Sequence, residues 1–283
     1  MWWSITSRST RLTLAVVLAM GSFHLTHRRC CGQETQQPNS DWNVTNSDSL
    51  KLGWMQGFPP PPGKVIRGSD ADFFSFPKLR WTVCHFQQLM PSVEISRGIK
   101  PPALLDRKLD PSIDDVPFVP IGSDKRMTWR ESLDANFTDG VVILHNGTIV
   151  YEEYFGCLNQ FNKHAAMSVT KSFVGLLAEI LVAEATLDEN AIVSSIVPEL
   201  KDSAFGTATV RQVMDMTTAI RYSEDYSDPK ADVWVYSAAG SPFPNPPNYD
   251  GPQSYYDYLR TVKPDGDHGE SFAYKTPNTD VLG

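Results

Sequence analysis

The chain carries no surplus of basic charge, few cysteines and no long apolar run, and each shortage removes a class of function. Its 25 Lys and Arg stand against 33 Asp and Glu, a formal charge of -8. With no basic tract to neutralise phosphates, nucleic-acid binding is not expected. Four cysteines in 283 residues make no disulfide framework. Cys84-His85 lacks a second Cys/His pair at metal spacing, and His24, His27, His85, His145, His164 and His268 are scattered, so neither a metal nor an organic cofactor is expected. No GxGxxG or GxxxxGK[ST] loop is present, and no G-x-S-x-G elbow on which Ser-His-Asp chemistry could stand. Internal repeats and a multi-pass membrane pattern are also missing. What is present is 41% apolar residues with 7 Trp, enough for one large folded domain or two small ones.

Residues 1–29 place Arg8 and Arg11 before a short apolar stretch, Leu12 to Met20, broken by Gly21 and Ser22. That order predicts a secretory signal or membrane-proximal segment, and hence an exported protein, periplasmic or extracellular. No clean Ala-x-Ala site follows, so an uncleaved anchor stays open. Residues 30–52 read as a polar, solvated linker, and 53–283 as the folded domain. Pro59 to Pro62 enforce an extended run, expected to lie as a surface arm packed by Trp54, Met55 and Phe58. Cys84 and Cys157 are expected as separate buried thiols.

The clearest local signal is GVVILHNGTIVYEEYF, residues 140–155, in which Asn146-Gly147 is a favoured two-residue turn between apolar strands. One short helix or strand is expected near Trp81–Met90. SVTKSFVGLLAEILVAE follows the hairpin as a long helix with Phe173, Leu176, Leu177, Ile180 and Leu181 recurring on one face. A second helix is predicted at Val210–Met216 under a Thr209 cap, a loop from Ser237 to Pro247, and a helical turn or two at Tyr255–Leu259. This order favours an α/β (α+β) body, not a repeating βαβ unit.

Two tracts carry chemistry. Ser168-Val-Thr-Lys171 places a hydroxyl and an amine on one helix face. A lysine whose neutral form is favoured by burial or by nearby positive charge accepts a serine proton, and a helix start directs backbone N–H groups at a reacting carbonyl. Ser75/Lys78 and Ser227/Lys230 share the spacing but hold proline inside the turn. The competing account of Ser168 is an ordinary helix cap beside a solvated lysine. Tyr274, in GESFAYKTPNTDVLG, could relay a proton, although a tyrosine taken singly is packing.

Taken together, MSVTKSFVGLLAEILVAE and FAYKTPNTDVLG, with GWMQGFPPPP, DGVVILHNGTIVYEEYF and QVMDMTTAIRYSEDY in order between residues 53 and 283, resemble the serine hydrolases related to class C β-lactamases and DD-peptidases. Within them the chain is most similar to the 6-aminohexanoate-dimer hydrolase and esterase branch. The resemblance implies a β-lactamase/transpeptidase-like fold, an antiparallel sheet flanked by helices with a helical insert. It implies Ser168 as acylated nucleophile, Lys171 as general base and Tyr274 as proton shuttle. Thr276 stands where strict β-lactamases have asparagine, which weakens that narrower assignment. Tyr226 could line the acyl pocket and donate to substrate, or simply pack. The expected substrates are small esters, amides or lactams, with no cofactor and no obligate protein partner. A true β-lactamase or DD-peptidase, or an inactive binding protein or fragment on the same scaffold, are the alternatives. Relatives of this kind continue well beyond the tyrosine motif, so the sequence is expected to be C-terminally truncated.

Overall fold

The computed structural model describes residues 41–96, 98–245 and 247–283. The expected leader, 1–29, and the linker up to residue 40 lie outside the described residues. The described chain divides into two compact units, one ending at His164 and the other running from Ala165 to Gly283. Among the described residues no helix is long and apolar enough to cross a membrane.

The first unit begins with two short helices, α1 (Leu79–Thr82) and α2 (Phe86–Leu89), within the stretch where one short element was expected. Strands β1 (Asp106–Arg107), β2 (Pro117–Phe118) and β3 (Met127–Thr128) precede helix α3 (Trp129–Ala135). Thr128 opens α3 through a capping box with Glu131, which satisfies donors the first turn leaves unpaired. The predicted hairpin follows as β4 (Gly140–His145) and β5 (Thr148–Tyr154), paired antiparallel. Asn146 and Gly147 both hold positive φ, 50° and 78°, as a turn that matches the strand twist requires. The sheet order is β1-β5-β4 with β1 parallel to β5, while β2 and β3 form a separate antiparallel pair. Val141, Tyr151 and Leu133 bury together, flanked by Trp129, Ile143 and Phe155.

Three expectations for this unit need correction. Cys84 and Cys157 are not separate thiols but a disulfide, their Cα atoms 6.1 Å apart, within the range a bridge needs. Seventy-three residues separate them, so no local spacing announced the pairing. The linker's described end is solvated only in part: Asp41, Asn43, Thr45, Asn46, Leu50 and Lys51 are exposed, but Ser47 and Ser49 are buried, and the Ser47 hydroxyl accepts from the buried Arg80 guanidinium at 3.0 Å. Arg80 also faces Asp139 at 3.5 Å, and Asp139 in turn meets His164 at 3.2 Å. Gly156 (φ +57°) lies against this group; a Cβ there would come within 3.0 Å of the Asp139 carboxylate and 3.1 Å of the Arg80 guanidinium. Finally, Trp54 and Met55 are partly buried but Phe58 is fully exposed, so Phe58 does not pack the arm.

The second unit is helical: α4 (Thr170–Ala183), α5 (Val193–Ile196), α6 (Val210–Met214), α7 (Asp232–Ala239), α8 (Tyr255–Thr261) and α9 (Pro277–Leu282). Thr209 caps α6 as predicted, in a reciprocal box with Gln212. The loop expected from Ser237 starts later: Ser237 to Ala239 complete α7, and the helix stops only at Gly240, where Pro242 prevents continuation. Phe205, Ile220, Val213 and Leu200 form the centre of the core. Burying a side chain the size of Phe205 contributes on the order of 2–3 kcal/mol. Around that centre sit Tyr222, Tyr236 and Tyr258, whose rings meet edge-on at 5.5 to 6.3 Å. One face departs from expectation. The apolar stripe of α4 is present, yet Phe173, Leu176 and Leu177 are 58 to 62% exposed, because periodicity marks a face as apolar without supplying what covers it.

Candidate active site

Ser168 lies in a 3₁₀ turn, Met167–Val169, that leads into α4. Its predecessor, Met167, holds φ at +47°, a left-handed conformation that a side-chain-bearing residue adopts only at some cost. The side chain of Ser168 is exposed and caps nothing; the α4 N-cap is Val169, without a side-chain cap bond. The capping account of Ser168 is therefore replaced by another contact. Lys171, one turn later, directs Nζ at the Ser168 Oγ, 3.1 Å away. The same Nζ lies 5.5 Å from the centroid of the Tyr274 ring, close enough for a cation–π attraction. The structure thus brings Ser168, Lys171 and Tyr274 together from tracts a hundred residues apart.

Tyr274 belongs to no regular element, so its position depends on its neighbours' anchors. The Ala273 N–H donates to the Met216 carbonyl at 3.0 Å. Lys275 swings its Nζ away to the Ile220 carbonyl, 2.6 Å, which gives it a structural task. Buried Thr218 donates to buried Asn278 at 2.6 Å, and Asn278 returns a bond to the Lys275 carbonyl at 3.0 Å. Segment 216–224 in this way grips segment 273–278 at several points.

The last of these grips is Glu224. Its Oε2 accepts the Thr276 backbone N–H at 2.8 Å, and its Oε1 accepts the Thr276 Oγ1 hydroxyl at 2.6 Å. The Tyr226 hydroxyl donates to the same Oε1 at 2.8 Å. The two residues expected to bind substrate, Tyr226 and Thr276, are therefore joined through a carboxylate that sequence reasoning missed. Glu224 stood inside the quoted YSEDY tract, but nothing local set it apart from Asp225. Burial, then the Glu224 hydrogen bond and charge, then Tyr274, push the Tyr226 phenol above its ordinary range. Tyr226 also packs edge-on against Trp234, centroids 6.0 Å apart.

A second missed residue is Asp280 on α9. Its carboxyl is pushed up by burial, against the opposing pull of the Tyr236 hydrogen bond and the Lys171 charge. Tyr236 donates its hydroxyl to Asp280 and stacks on Tyr255 at 4.5 Å. Burial and then this carboxylate raise Tyr236 far beyond the usual tyrosine range, so it remains a donor at any working pH. Among the described residues no three His, Cys, Asp or Glu side chains converge as a metal site would require. His268 is held structurally, its Nδ1 accepting from the Ala219 N–H at 2.9 Å.

The Ser168 hydroxyl and the Lys171 amine are within reach for a proton to pass between them, and Tyr274 presents its ring to the same amine. A β-lactamase family model matches residues 133–283, more than half of the chain, and the chain belongs to that family, with its mixed α/β fold of helices and a small sheet. Among individual proteins, the 6-aminohexanoate-dimer hydrolase of Paenarthrobacter ureafaciens is 30% identical over 209 residues, 73% of this chain and 50% of that protein. A solved structure from Bacillus anthracis, assigned as a 6-aminohexanoate-dimer hydrolase, is similar with a TM-score of 0.66 at 30% identity, over 79% of this chain and 57% of that one. The chain thus spans about half the length of these relatives.

Proposed function

We propose that the protein is a serine hydrolase that cleaves ester or amide bonds of small substrates through an acyl-enzyme on Ser168. The 3.1 Å approach of Lys171 Nζ to Ser168 Oγ carries this reading, and the family relationship supports it. With its amine neutral, Lys171 takes the Ser168 proton as Oγ bonds to the substrate carbonyl carbon. The proton then passes, by way of Tyr274, to the departing alkoxide or amine as its bond to carbon breaks. Water adds to the acyl-enzyme in the same manner, releasing the acid and restoring the Ser168 hydroxyl. No step calls on a cofactor.

The test is covalent labelling. A fluorophosphonate probe should add to Ser168 in the folded full chain, located by peptide mass, and should leave Ser168→Ala unmodified. A folded chain that takes no label sinks the assignment. For substrate type, Thr276 in place of asparagine favours ester and linear amide cleavage over lactam opening. Ester hydrolysis should outrun that of a chromogenic cephalosporin, and the reverse order would favour a true β-lactamase or DD-peptidase. Export to an oxidising compartment belongs to the same proposal, supported by the Cys84–Cys157 bridge. Fractionation of the native host with reporter fusions tests it.

A further inference from the structure

Between α7 and α8 the second unit holds a cavity of about 310 Å³, at the lower end of the range that small-molecule sites occupy. Arg221 and Lys263 line one wall. Ile220 and Pro264 form an antiparallel bridge, and the Arg221 N–H donates to the Lys263 carbonyl at 2.8 Å. These two cationic residues therefore stand directly opposite each other across the bridge. Like charges so placed repel. Neither side chain is in an ion pair among the described residues, so the fold keeps two uncompensated positive charges at the wall of a cavity.

The other walls add a donor and an apolar surface. Tyr258 lines the cavity although only 6% of it is exposed. Its hydroxyl has no hydrogen-bond partner among the described residues, yet it is not sealed off as the Tyr222 hydroxyl is, so it opens on the cavity. Burial and then the Asp232 charge push this phenol above its ordinary range, which keeps it protonated and able to donate. Val235, Pro252 and Val262 supply the apolar surface. Asp232 also lines the cavity, accepting the Ser223 N–H at 2.9 Å, and its charge opposes a second anionic group. We infer that this cavity binds a short aliphatic monocarboxylate, held at its charged end by Arg221, Lys263 and the Tyr258 hydroxyl and along its chain by Val235, Pro252 and Val262. A guanidinium takes a carboxylate through two parallel hydrogen bonds, and the bound anion relieves the repulsion between the two cations. Asp232 limits the ligand to one negative charge. The inference does not depend on the chemistry at Ser168, since Ser168, Lys171 and Tyr274 are not among the lining residues.

Titration of the full chain with sodium hexanoate, against equal concentrations of sodium chloride, tests this by calorimetry and amide NMR. Hexanoate should bind saturably and shift the resonances of Arg221, Tyr258 and Lys263. Arg221→Gln changes an exposed side chain and should weaken binding about tenfold or more, the effect of losing hydrogen bonds to a charged group. Tyr258→Phe should weaken it about fivefold, as one donor is lost. Without ligand, Arg221→Gln should unfold at the same urea concentration as wild type or a higher one, because the cross-bridge repulsion is gone; lost binding is thereby kept apart from lost fold. Adipate, of the same length with a second carboxylate, should bind about tenfold more weakly than hexanoate. The inference is overturned by any of three results: no saturable binding of hexanoate, wild-type affinity in Arg221→Gln or Tyr258→Phe, or adipate or inorganic phosphate binding as tightly as hexanoate.

Discussion

Lys171 Nζ stands 3.1 Å from Ser168 Oγ, and neither side chain has the role of a helix cap. The distance suits proton transfer in either direction, but only a neutral amine can receive the serine proton. Lys171→Arg keeps the charge and the reach while removing any accessible neutral form. The variant should label with fluorophosphonate about 10²- to 10⁴-fold more slowly, the usual span for general-base catalysis, with its thermal unfolding little altered. Labelling of Lys171→Arg at the wild-type rate would show that Ser168 is activated by something else.

What was legible in the sequence was what is local in the chain. The hairpin turn needs positive φ at two successive residues, and Asn146-Gly147 declared it. The Thr209 cap needs a partner three residues on, and Gln212 supplied it. Ser168 and Lys171 sit one helical turn apart, so their contact followed from spacing. The illegible contacts join distant segments. Glu224 meets Thr276 across 52 residues, Thr218 meets Asn278 across 60, and Tyr236 meets Asp280 across 44. No periodicity or cap rule reaches that far, and each of these partners is an ordinary polar residue in its own neighbourhood.

The Cys84–Cys157 bridge closes a loop of 73 residues and ties the segment around α1 to the residues just after β5. Chain-entropy arguments assign a loop of that size about 4 kcal/mol, with real bridges spread from 0 to 5. Cys84→Ser combined with Cys157→Ser should lower the urea midpoint of the first unit's unfolding, and reductant should do the same to the wild type. Thiol titration of the native, unreduced chain should find neither cysteine. Equal midpoints with and without reductant would contradict this.

Two tyrosines of the second unit offer a matched contrast. The Tyr222 hydroxyl is buried without a hydrogen-bond partner among the described residues, which leaves its desolvation uncompensated. Tyr236 has an equally buried ring, but its hydroxyl donates to Asp280. Tyr222→Phe should be neutral or stabilising by about 1 kcal/mol, whereas Tyr236→Phe should cost about 2 kcal/mol. Chemical denaturation of the two variants checks both values, and a loss of stability in Tyr222→Phe would mean that its hydroxyl does have a partner.

Asp280 gives the fold a pH dependence whose sign can be worked out. Burial raises its carboxyl above the ordinary value of 3.8, so the folded chain holds this proton more tightly than the unfolded chain does. Below the ordinary value both states are protonated, and the site costs the fold nothing. As pH rises through the window between the ordinary and the raised value, the unfolded chain releases its proton first and stability falls; above the window the loss is complete. Asp280→Asn removes the titration, and the asparagine carbonyl can still accept from Tyr236. Its stability relative to wild type should therefore increase as pH is raised from about 3 toward neutrality. Urea unfolding at a series of pH values measures the difference. Parallel curves for the two proteins would mean that Asp280 titrates alike in both states, and a divergence toward low pH would mean that its carboxyl is lowered in the fold, not raised.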